Sequence, residues 1–475
     1  MDFLKDGCVA FDYNFPIYNW FFPSGYKRLD ENIENELKKD KLNIFNFAGK
    51  DPKFRALYFH IPFCQDICSF CHFTREVCLD EEVYDKYADA LVKEIHLKTK
   101  FKNIKDYPIS SIFFGGGTPS ILKPKQILKI GRAIKENFDL SQLLEFSYEM
   151  NAKTVTPDRI EALKKIGVTH ARMGVQTFNP TYRNLFKLSA TLEQIYRGAQ
   201  LLNENFKNVC VDMLYGMHGQ TTEDFAKDLH HAVSLGTPTI DVYPINNMVT
   251  QIGLSNSYRK AELAPTSGLG KFSMNVFLNE YMRNNGFLPH NGHGYVRVNK
   301  EHLEERPVVT NSYRFQYHEG VYGYKGHEII GFGSGAFSSF DGFSVGNCNK
   351  PQKYIEDLLD KNIIDLVIGQ YDLKLCDIKG IVLHLPYYGE VQKSKIDMKL
   401  IPDEVKNNLE SAIKKGLIIG NDKEYRLTQL GWYWYVNLLY HLLPTEEQEL
   451  LRKYVNKQSS QEERFVENWE IALNF

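Results

Sequence analysis

The chain has 475 residues, 43% of them hydrophobic and 24% charged, with 57 Lys and Arg against 59 Asp and Glu. This near-neutral balance gives no global electrostatic case for a nucleic-acid or anionic-membrane partner, and no apolar run reaches the roughly 18 residues of a membrane span. Eight cysteines are too few for a disulfide scaffold, and Met1 to Ala10 carries Asp2, Lys5 and Asp6, unlike a secretory signal, so a cytoplasmic globular protein of about three folding units is expected.

Residues 1–53 read as an extension, aromatic and proline-broken over 11–25 and then a charged surface helix over 28–47. From residue 55 a rhythm begins. Strand-like runs at 55–61, 109–114, 144–150, 168–175, 208–216 and 239–245 alternate with helices at 81–100, 126–138, 157 onward, 191–205 and 221–236. Thr156 with Pro157 opens the third helix, and acids fill the first turn of the fifth. Such alternation implies a parallel sheet with helices outside. Six strands and five helices fall short of an eight-unit barrel, so the expected fold is α/β, a partial (β/α)6 TIM-like barrel with its site at the C-terminal strand ends.

The barrel is placed at 54–285, ending in a helix over 270–285. Residues 286–350, rich in Gly and Tyr, are expected to extend the barrel toward the substrate, with strands and turns rather than helix over 310–345. Residues 351–475 are expected to form a small, mostly helical, winged-helix-like domain.

The loop after the first strand, YFHIPFCQDICSFCHF (58–73), holds Cys64, Cys68 and Cys71. Three thiolates from one short loop suit three corners of an iron–sulfur cube and leave one iron open for chemistry. A zinc site with Cys78 or His72 as fourth ligand, and a set of inert free thiols with Cys78 among them, are the alternatives.

This CxxxCxxC loop resembles that of the radical S-adenosylmethionine (SAM) enzymes, and within them the branch typified by oxygen-independent coproporphyrinogen III oxidase (HemN-like). The likeness runs from about residue 55 to about 440, and its nearest look is to the anaerobic heme-degrading methyltransferases (anaerobilin synthase). The resemblance implies a [4Fe-4S] cluster on Cys64, Cys68 and Cys71, and one SAM molecule or two. In FFGGGTP (113–119), Gly116, Gly117 and Thr118 would meet the methionine part of SAM, through a backbone that comes close and exposes its N–H groups. Glu149 of EMNAK, Gln176 of GVQTF and Asp212 of DMLYG would make polar contacts to SAM. An Asp within an apolar strand needs a partner in any case. Tyr58, Phe70, Asn246 and Phe337 fall where the family touches SAM, although aromatic residues at such places are also ordinary core.

Two positions depart from the branch. The porphyrinogen-decarboxylating members carry a further Cys two residues after the triplet, and Phe73 stands there. An Arg frequent twelve residues after the strand-four Gln is replaced by Leu188, with Lys187 beside it as the neighbouring cation. In LTQLGWYWYVNLLYHLLP (427–444), which resembles the C-terminal segment of the heme-degrading enzymes, Trp432 and Trp434 are read as packing. His290, His293, His318 and His327 are read as solvated loop histidines, with heme-iron or proton-transfer roles as the alternative. Arg283, Arg297, Arg306 and Arg314 are read as surface charges able to bind carboxylates.

The resemblance implies a 5′-deoxyadenosyl radical, used for SAM-dependent C-methylation and anaerobic opening of heme or a related tetrapyrrole. The rivals are C-methylation of a non-porphyrin molecule, coproporphyrinogen oxidation (weakened by Phe73), and a heme carrier or chaperone. The expected partners are a tetrapyrrole or other small substrate and an electron donor such as flavodoxin or ferredoxin, with neither nucleic acid nor membrane.

Overall fold

The computed structural model describes residues 22–451, apart from positions 24, 50–51, 72, 246–251, 265, 299–306, 310–314 and 341. One twelve-stranded sheet organises most of the chain. The six expected strands form as β1 (Phe54–Ile61), β2 (Ser111–Gly116), β3 (Glu145–Asn151), β4 (His170–Gln176), β5 (Asn208–Tyr215) and β6 (Thr239–Pro244). They pair in parallel in that order. Between them lie α1 (Glu81–Lys98), α2 (Pro124–Asn137), α3 (Pro157–Ile166), α4 (Leu192–Asn205) and α5 (Thr222–Ser234), followed by α6 (Gly268–Asn284). Thr191 and Thr221 cap α4 and α5 with reciprocal side-chain bonds.

The sheet then continues through β7 (Phe287–Pro289), β8 (Gly294–Arg297), β9 (His327–Phe332), β10 (Phe337–Phe340), β11 (Phe343–Asn347) and β12 (Leu366–Gln370). β8 and β7 extend the β6 edge antiparallel. β9 lies parallel to β1 on its other side, and β10 to β12 follow antiparallel. The parallel part therefore has a seventh strand that the six-unit expectation lacked. The pairing of β9 is fixed by a buried ion pair, Arg55 Nη2 to Glu328 Oε2 at 2.7 Å, between residues directly opposite in the register. Both side chains are fully buried, and Arg55 also donates to the Asn103 carbonyl at 2.6 Å, which supplies the extra partner a buried pair needs.

Two further differences bear on the site. Within 310–345, expected as strands and turns, Tyr317–Tyr322 is a helix, α7. The expected helix over 28–47 is a helix at Glu31–Lys39 followed by a 3₁₀ segment, Lys41–Phe47. Asp40 caps that segment, and its Leu42, Ile44 and Phe45 are buried in the core. Beyond β12, short helices, the helix Asp403–Lys414 and a three-stranded antiparallel sheet (Glu390–Gln392, Ile418–Gly420, Glu424–Leu427) form the C-terminal part. No described helix is long and apolar enough to cross a membrane.

Strand alternation sorts the side chains into two sets. Leu57, Phe59 and Ile61 of β1 pack in the core cluster beneath the helices, with Phe59 stacked on Phe114 at 4.6 Å and Phe332 at 4.9 Å. Ala56 and Tyr58 belong to a second cluster, with Phe113, Tyr317 and Phe337. In β3 to β6 the alternate positions to the helix-side core are Glu145, Ser147, Glu149, Arg172, Asp212, Asp241 and Tyr243. The barrel thus has an apolar outer layer and a polar interior.

Candidate active site

The cysteine loop leaves β1 with Cys64 buried and Cys68 and Cys71 half-buried. Backbone bonds shape it. Cys71 N donates to the Cys68 carbonyl at 3.2 Å, Cys78 N to the Cys64 carbonyl at 3.2 Å, and Ser69 N to the Phe186 carbonyl at 3.0 Å. At the strand end, the His60 ring bonds Tyr58 Oη at 2.7 Å and the Thr74 carbonyl at 2.8 Å. Burial holds His60 down to about 4, so this clamp between strand and loop is uncharged.

Burial pushes the Cys68 thiol up to about 12, with the Cys71 and Cys64 charges adding to it, and Cys71 up to about 11. Three sulfurs that oppose one another's ionisation need a cation to become thiolates. Among the described residues they do not converge within 4.8 Å of one another. Thiolates on one zinc, with Zn–S of about 2.3 Å, sit roughly 3.8 Å apart. Three soft sulfur donors offered by one loop suit three corners of a [4Fe-4S] group.

The glycine loop after β2 lies against this one. Gly117 N donates to the Ile61 carbonyl and Thr118 N to the Phe63 carbonyl, both at 2.8 Å. Thr118 Oγ1 reaches Cys64 Sγ at 3.4 Å. A Cβ at Gly116, where φ is +109°, would meet the His60 ring at 2.7 Å, so that close approach requires glycine. Glu149 lies beside the loop, with Oε2 3.1 Å from where a Gly115 Cβ would stand. Burial, and then the Asp212 charge, push Glu149 up to about 8. Gln176 sits at φ +72° where the β4–β5 register shifts, and Gly174 leaves room for its amide.

Tyr58 and Phe337 are packed 5.7 Å apart on the interior side. Phe70 packs instead on Phe186 at 5.1 Å, in a separate cluster that includes Leu188. Asn246 lies outside the described residues. Between the cysteine loop and β3–β4 is a small cleft of about 40 Å³, lined by residues including Cys68, Thr118, Asn151, Gly174, Arg183 and Leu188.

Lys187 is exposed and is not among the residues that line this cleft, whereas Arg183, four residues earlier, and Lys153 are. Arg183 donates to the Thr177 carbonyl at 2.8 Å and also to the Ala190 carbonyl.

Asp212 has the partner its strand position demanded, and the sequence reading did not name it. Arg172 Nη2 bonds Asp212 Oδ1 at 2.9 Å and also Asp241 Oδ2. Tyr243 Oη donates to Asp241 Oδ2 at 3.1 Å. Burial raises Asp212, with Asp241 adding to it and Arg172 opposing. Asp241 is held well below the usual carboxylate range: burial opposes this, but Arg172 and His290 outweigh it. Cys210, Asp212 and Asp241 bring possible ligand atoms within 4.8 Å of one another, yet the guanidinium already occupies both carboxylates, which makes this an ion-pair hub. Glu145, fully buried, accepts from Ser147 Oγ and from Gln316 N, both at 2.5 Å, and burial lifts it to about 7. Strand alternation shared with Asp212 is the signal that could have found Arg172, Asp241 and Glu145.

The histidines are not solvated. His290, His293 and His318 are 2%, 4% and 6% exposed. His318 Nδ1 bonds Tyr387 Oη at 2.6 Å, and the His293 ring edge faces Tyr387 and Tyr435. His327 lies at the start of β9, with Nδ1 3.5 Å from Glu319. Arg297 is exposed and lies over the Phe287 ring at 4.4 Å, and Arg283 is half-buried. Arg306 and Arg314 lie outside the described residues. Trp432 donates to Asn279 Oδ1 at 2.8 Å and Trp434 stacks on Phe272 at 3.9 Å, so both serve packing.

Residues 58–232 match the family model of the Radical SAM superfamily. Among curated proteins the chain is similar to the heme chaperone HemW of Lactococcus lactis, 27% identical over 63% of this chain and 74% of that protein. It is similar also to anaerobilin synthase of Escherichia coli O157:H7, 26% identical over 65% of this chain and 66% of the other. A third relative is the oxygen-independent coproporphyrinogen III oxidase of Escherichia coli K12, 25% identical over 76% and 81%. The crystal structure of coproporphyrinogen III oxidase (HemN) from Escherichia coli, described as a radical SAM enzyme, shares the fold, with a TM-score of 0.70 at 20% identity over 85% of this chain and 93% of that one.

Proposed function

We propose that this chain is a radical SAM protein, with a [4Fe-4S] cluster and SAM as its cofactors, that carries out SAM-dependent C-methylation and anaerobic opening of heme or a related tetrapyrrole. The observation that carries the reading is the polar interior in which Glu149 faces Asp212 and Arg172. Arg172, Asp212 and Asp241 form its hub, and the buried His290, His293 and His318 line its far side. The likeness to anaerobilin synthase supports it.

When bound, the cluster and SAM supply one-electron cleavage of a carbon–sulfur bond and hence a 5′-deoxyadenosyl radical. The chain's own residues do the rest. Cys64, Cys68 and Cys71 would hold the cluster, with Thr118 donating to one sulfur. Gly116, Gly117 and Thr118 would lie along the methionine part of SAM. Glu149, Gln176 and Asp212 would take its polar groups, and Tyr58 and Phe337 would wall it in, with Phe70 kept in the set by its place in the cysteine loop. Asn246 is assigned to the same set by its place in the sequence. The C-terminal part covers the interior through Tyr387 and Tyr435, each against His293, and so excludes water. A reduced flavodoxin or ferredoxin is the electron donor in this reading.

A heme carrier is the second reading, favoured by the likeness to HemW. Coproporphyrinogen oxidation is less favoured because Phe73, 42% exposed, stands where the decarboxylating members carry a Cys. The test is an anaerobic assay of the protein reconstituted with iron and sulfide, given SAM, dithionite and heme. Loss of the heme band with a methylated linear tetrapyrrole supports opening. Intact bound heme without product supports the carrier. Carbon dioxide from coproporphyrinogen without methyl transfer supports oxidation. 5′-Deoxyadenosine with heme neither bound nor changed moves the search to a non-porphyrin substrate.

A further inference from the structure

Among the described residues, the buried polar atoms without a hydrogen-bond partner include Tyr317 Oη and His293 Nδ1 on the interior side of the barrel. Tyr317 is 1% exposed and His293 4%. A buried hydroxyl or imidazole nitrogen left unpaired weakens the ligand-free fold, so each needs a reason.

Both side chains are held firmly. The Tyr317 ring stacks on Phe113 at 4.6 Å and lies 5.7 Å from Tyr58, at the SAM end of the interior. The start of α7 is fixed by Gln316 N donating to Glu145. His293 N donates to Asn291 Oδ1 at 2.9 Å, its carbonyl accepts from Val242 N at 2.8 Å, and its ring rests 4.5 Å from Tyr243.

The charges nearby are already engaged. Arg172 serves Asp212 and Asp241, and lies 4.2 Å over the ring of Phe315. His318, next to Tyr317 in the chain, spends Nδ1 on Tyr387. Burial holds His293 down to about 4 against the pull of Asp241, so it is neutral near pH 7.

We propose that Tyr317 Oη and His293 Nδ1 are a substrate subsite, two uncharged hydrogen-bonding groups aimed at polar atoms on the edge of a flat conjugated substrate inside the barrel. This rests on the tetrapyrrole reading above. The Tyr O–H donates to an acceptor on the substrate, and the neutral imidazole takes or gives one bond according to tautomer. Such groups fix orientation in an otherwise aromatic pocket.

Tyr317→Phe and His293→Gln test it, each keeping most of the side-chain shape. Three quantities are measured on the full chain: melting temperature without ligand, heme affinity by absorbance titration, and product formed per 5′-deoxyadenosine in the anaerobic assay. Tyr317→Phe is expected to melt higher than wild type, because it deletes an unpaired hydroxyl. It should bind heme about tenfold more weakly, the worth of one hydrogen bond, and cleave SAM within about twofold of wild type with less product per cleavage. His293→Gln should show the same loss of affinity and coupling with an unshifted heme band. A lower melting temperature for Tyr317→Phe, or heme affinity and coupling equal to wild type in both variants, overturns the subsite. A shifted heme band in His293→Gln makes His293 an iron ligand and overturns its hydrogen-bonding role. Wild type that neither binds nor consumes heme overturns the tetrapyrrole reading, and this subsite with it. Active wild type with unaffected variants overturns the subsite alone.

Discussion

Arg172 and Asp212 stand 2.9 Å apart inside the barrel, and the guanidinium nitrogen that joins them also holds Asp241. One cation therefore serves a carboxylate at the proposed SAM site and another on the histidine side. Removing it leaves two carboxylates close together in a buried site. Breaking such a pair by deleting one partner costs about 3–5 kcal/mol. Arg172→Met is expected to lower the melting temperature and to weaken SAM binding at least tenfold by equilibrium dialysis. Arg172→Lys keeps the charge without the planar fork and should fall between. Wild-type SAM affinity in Arg172→Met would dissociate the hub from the cofactor site.

The cysteine assignments are separable by iron content. Cys64→Ala, Cys68→Ala and Cys71→Ala should each lose the cluster's iron, sulfide and visible absorbance after reconstitution. Cys78→Ala should keep all three, although Cys78 N bonds the Cys64 carbonyl, because that bond uses the backbone. Loss of iron in Cys78→Ala would bring back a four-ligand site.

Thr118 Oγ1 reaches Cys64 Sγ at 3.4 Å. Hydrogen bonds to ligand sulfurs are among the levers that set a cluster's potential. Thr118→Val keeps the volume and removes the donor. A more negative cluster potential is expected, read by a redox titration followed by electron paramagnetic resonance. An unchanged potential would show that the contact does not persist in the loaded protein.

Two interior carboxyls predict the pH dependence of the ligand-free, cluster-free protein. Burial raises Glu145 to about 7 and Glu149 to about 8, against roughly 4.3 in an unfolded chain. Between these values the folded state holds more protons than the unfolded one, so stability falls as pH rises through this window. The melting temperature should decline from about pH 5 to pH 8.5, and Glu149→Gln should flatten part of that decline. If the cationic SAM pairs with Glu149, SAM should restore more stability at pH 8 than at pH 6. A flat profile in wild type would contradict the burial of these two carboxyls.

The sequence alone carried what is local. Apolar runs of four to eight residues between capped helices gave β1 to β6, because strand and helix periodicities need no distant partner. The cysteine spacing pointed to the loop proposed to hold the cluster, since three candidate ligands in one short segment need no tertiary contact to be recognised. The aromatic pair at Trp432 and Trp434 was also legible as packing.

What the tertiary structure decided depends on residues far apart in the chain. The seventh parallel strand follows from Arg55 meeting Glu328 in register, a pairing invisible until β9 lies beside β1. Arg183, and not Lys187, lines the cleft because the helix Pro180–Leu185 ends before Lys187, which sits exposed at φ +56°. The histidines of 290–318 looked solvated in a polar, glycine-rich stretch, and are buried because the C-terminal part packs over them. Arg172 joins Asp212 to Asp241 because β4, β5 and β6 put the same alternation phase inside the barrel. A period of two fixes which residues share a face, but the closing of the sheet fixes which faces meet.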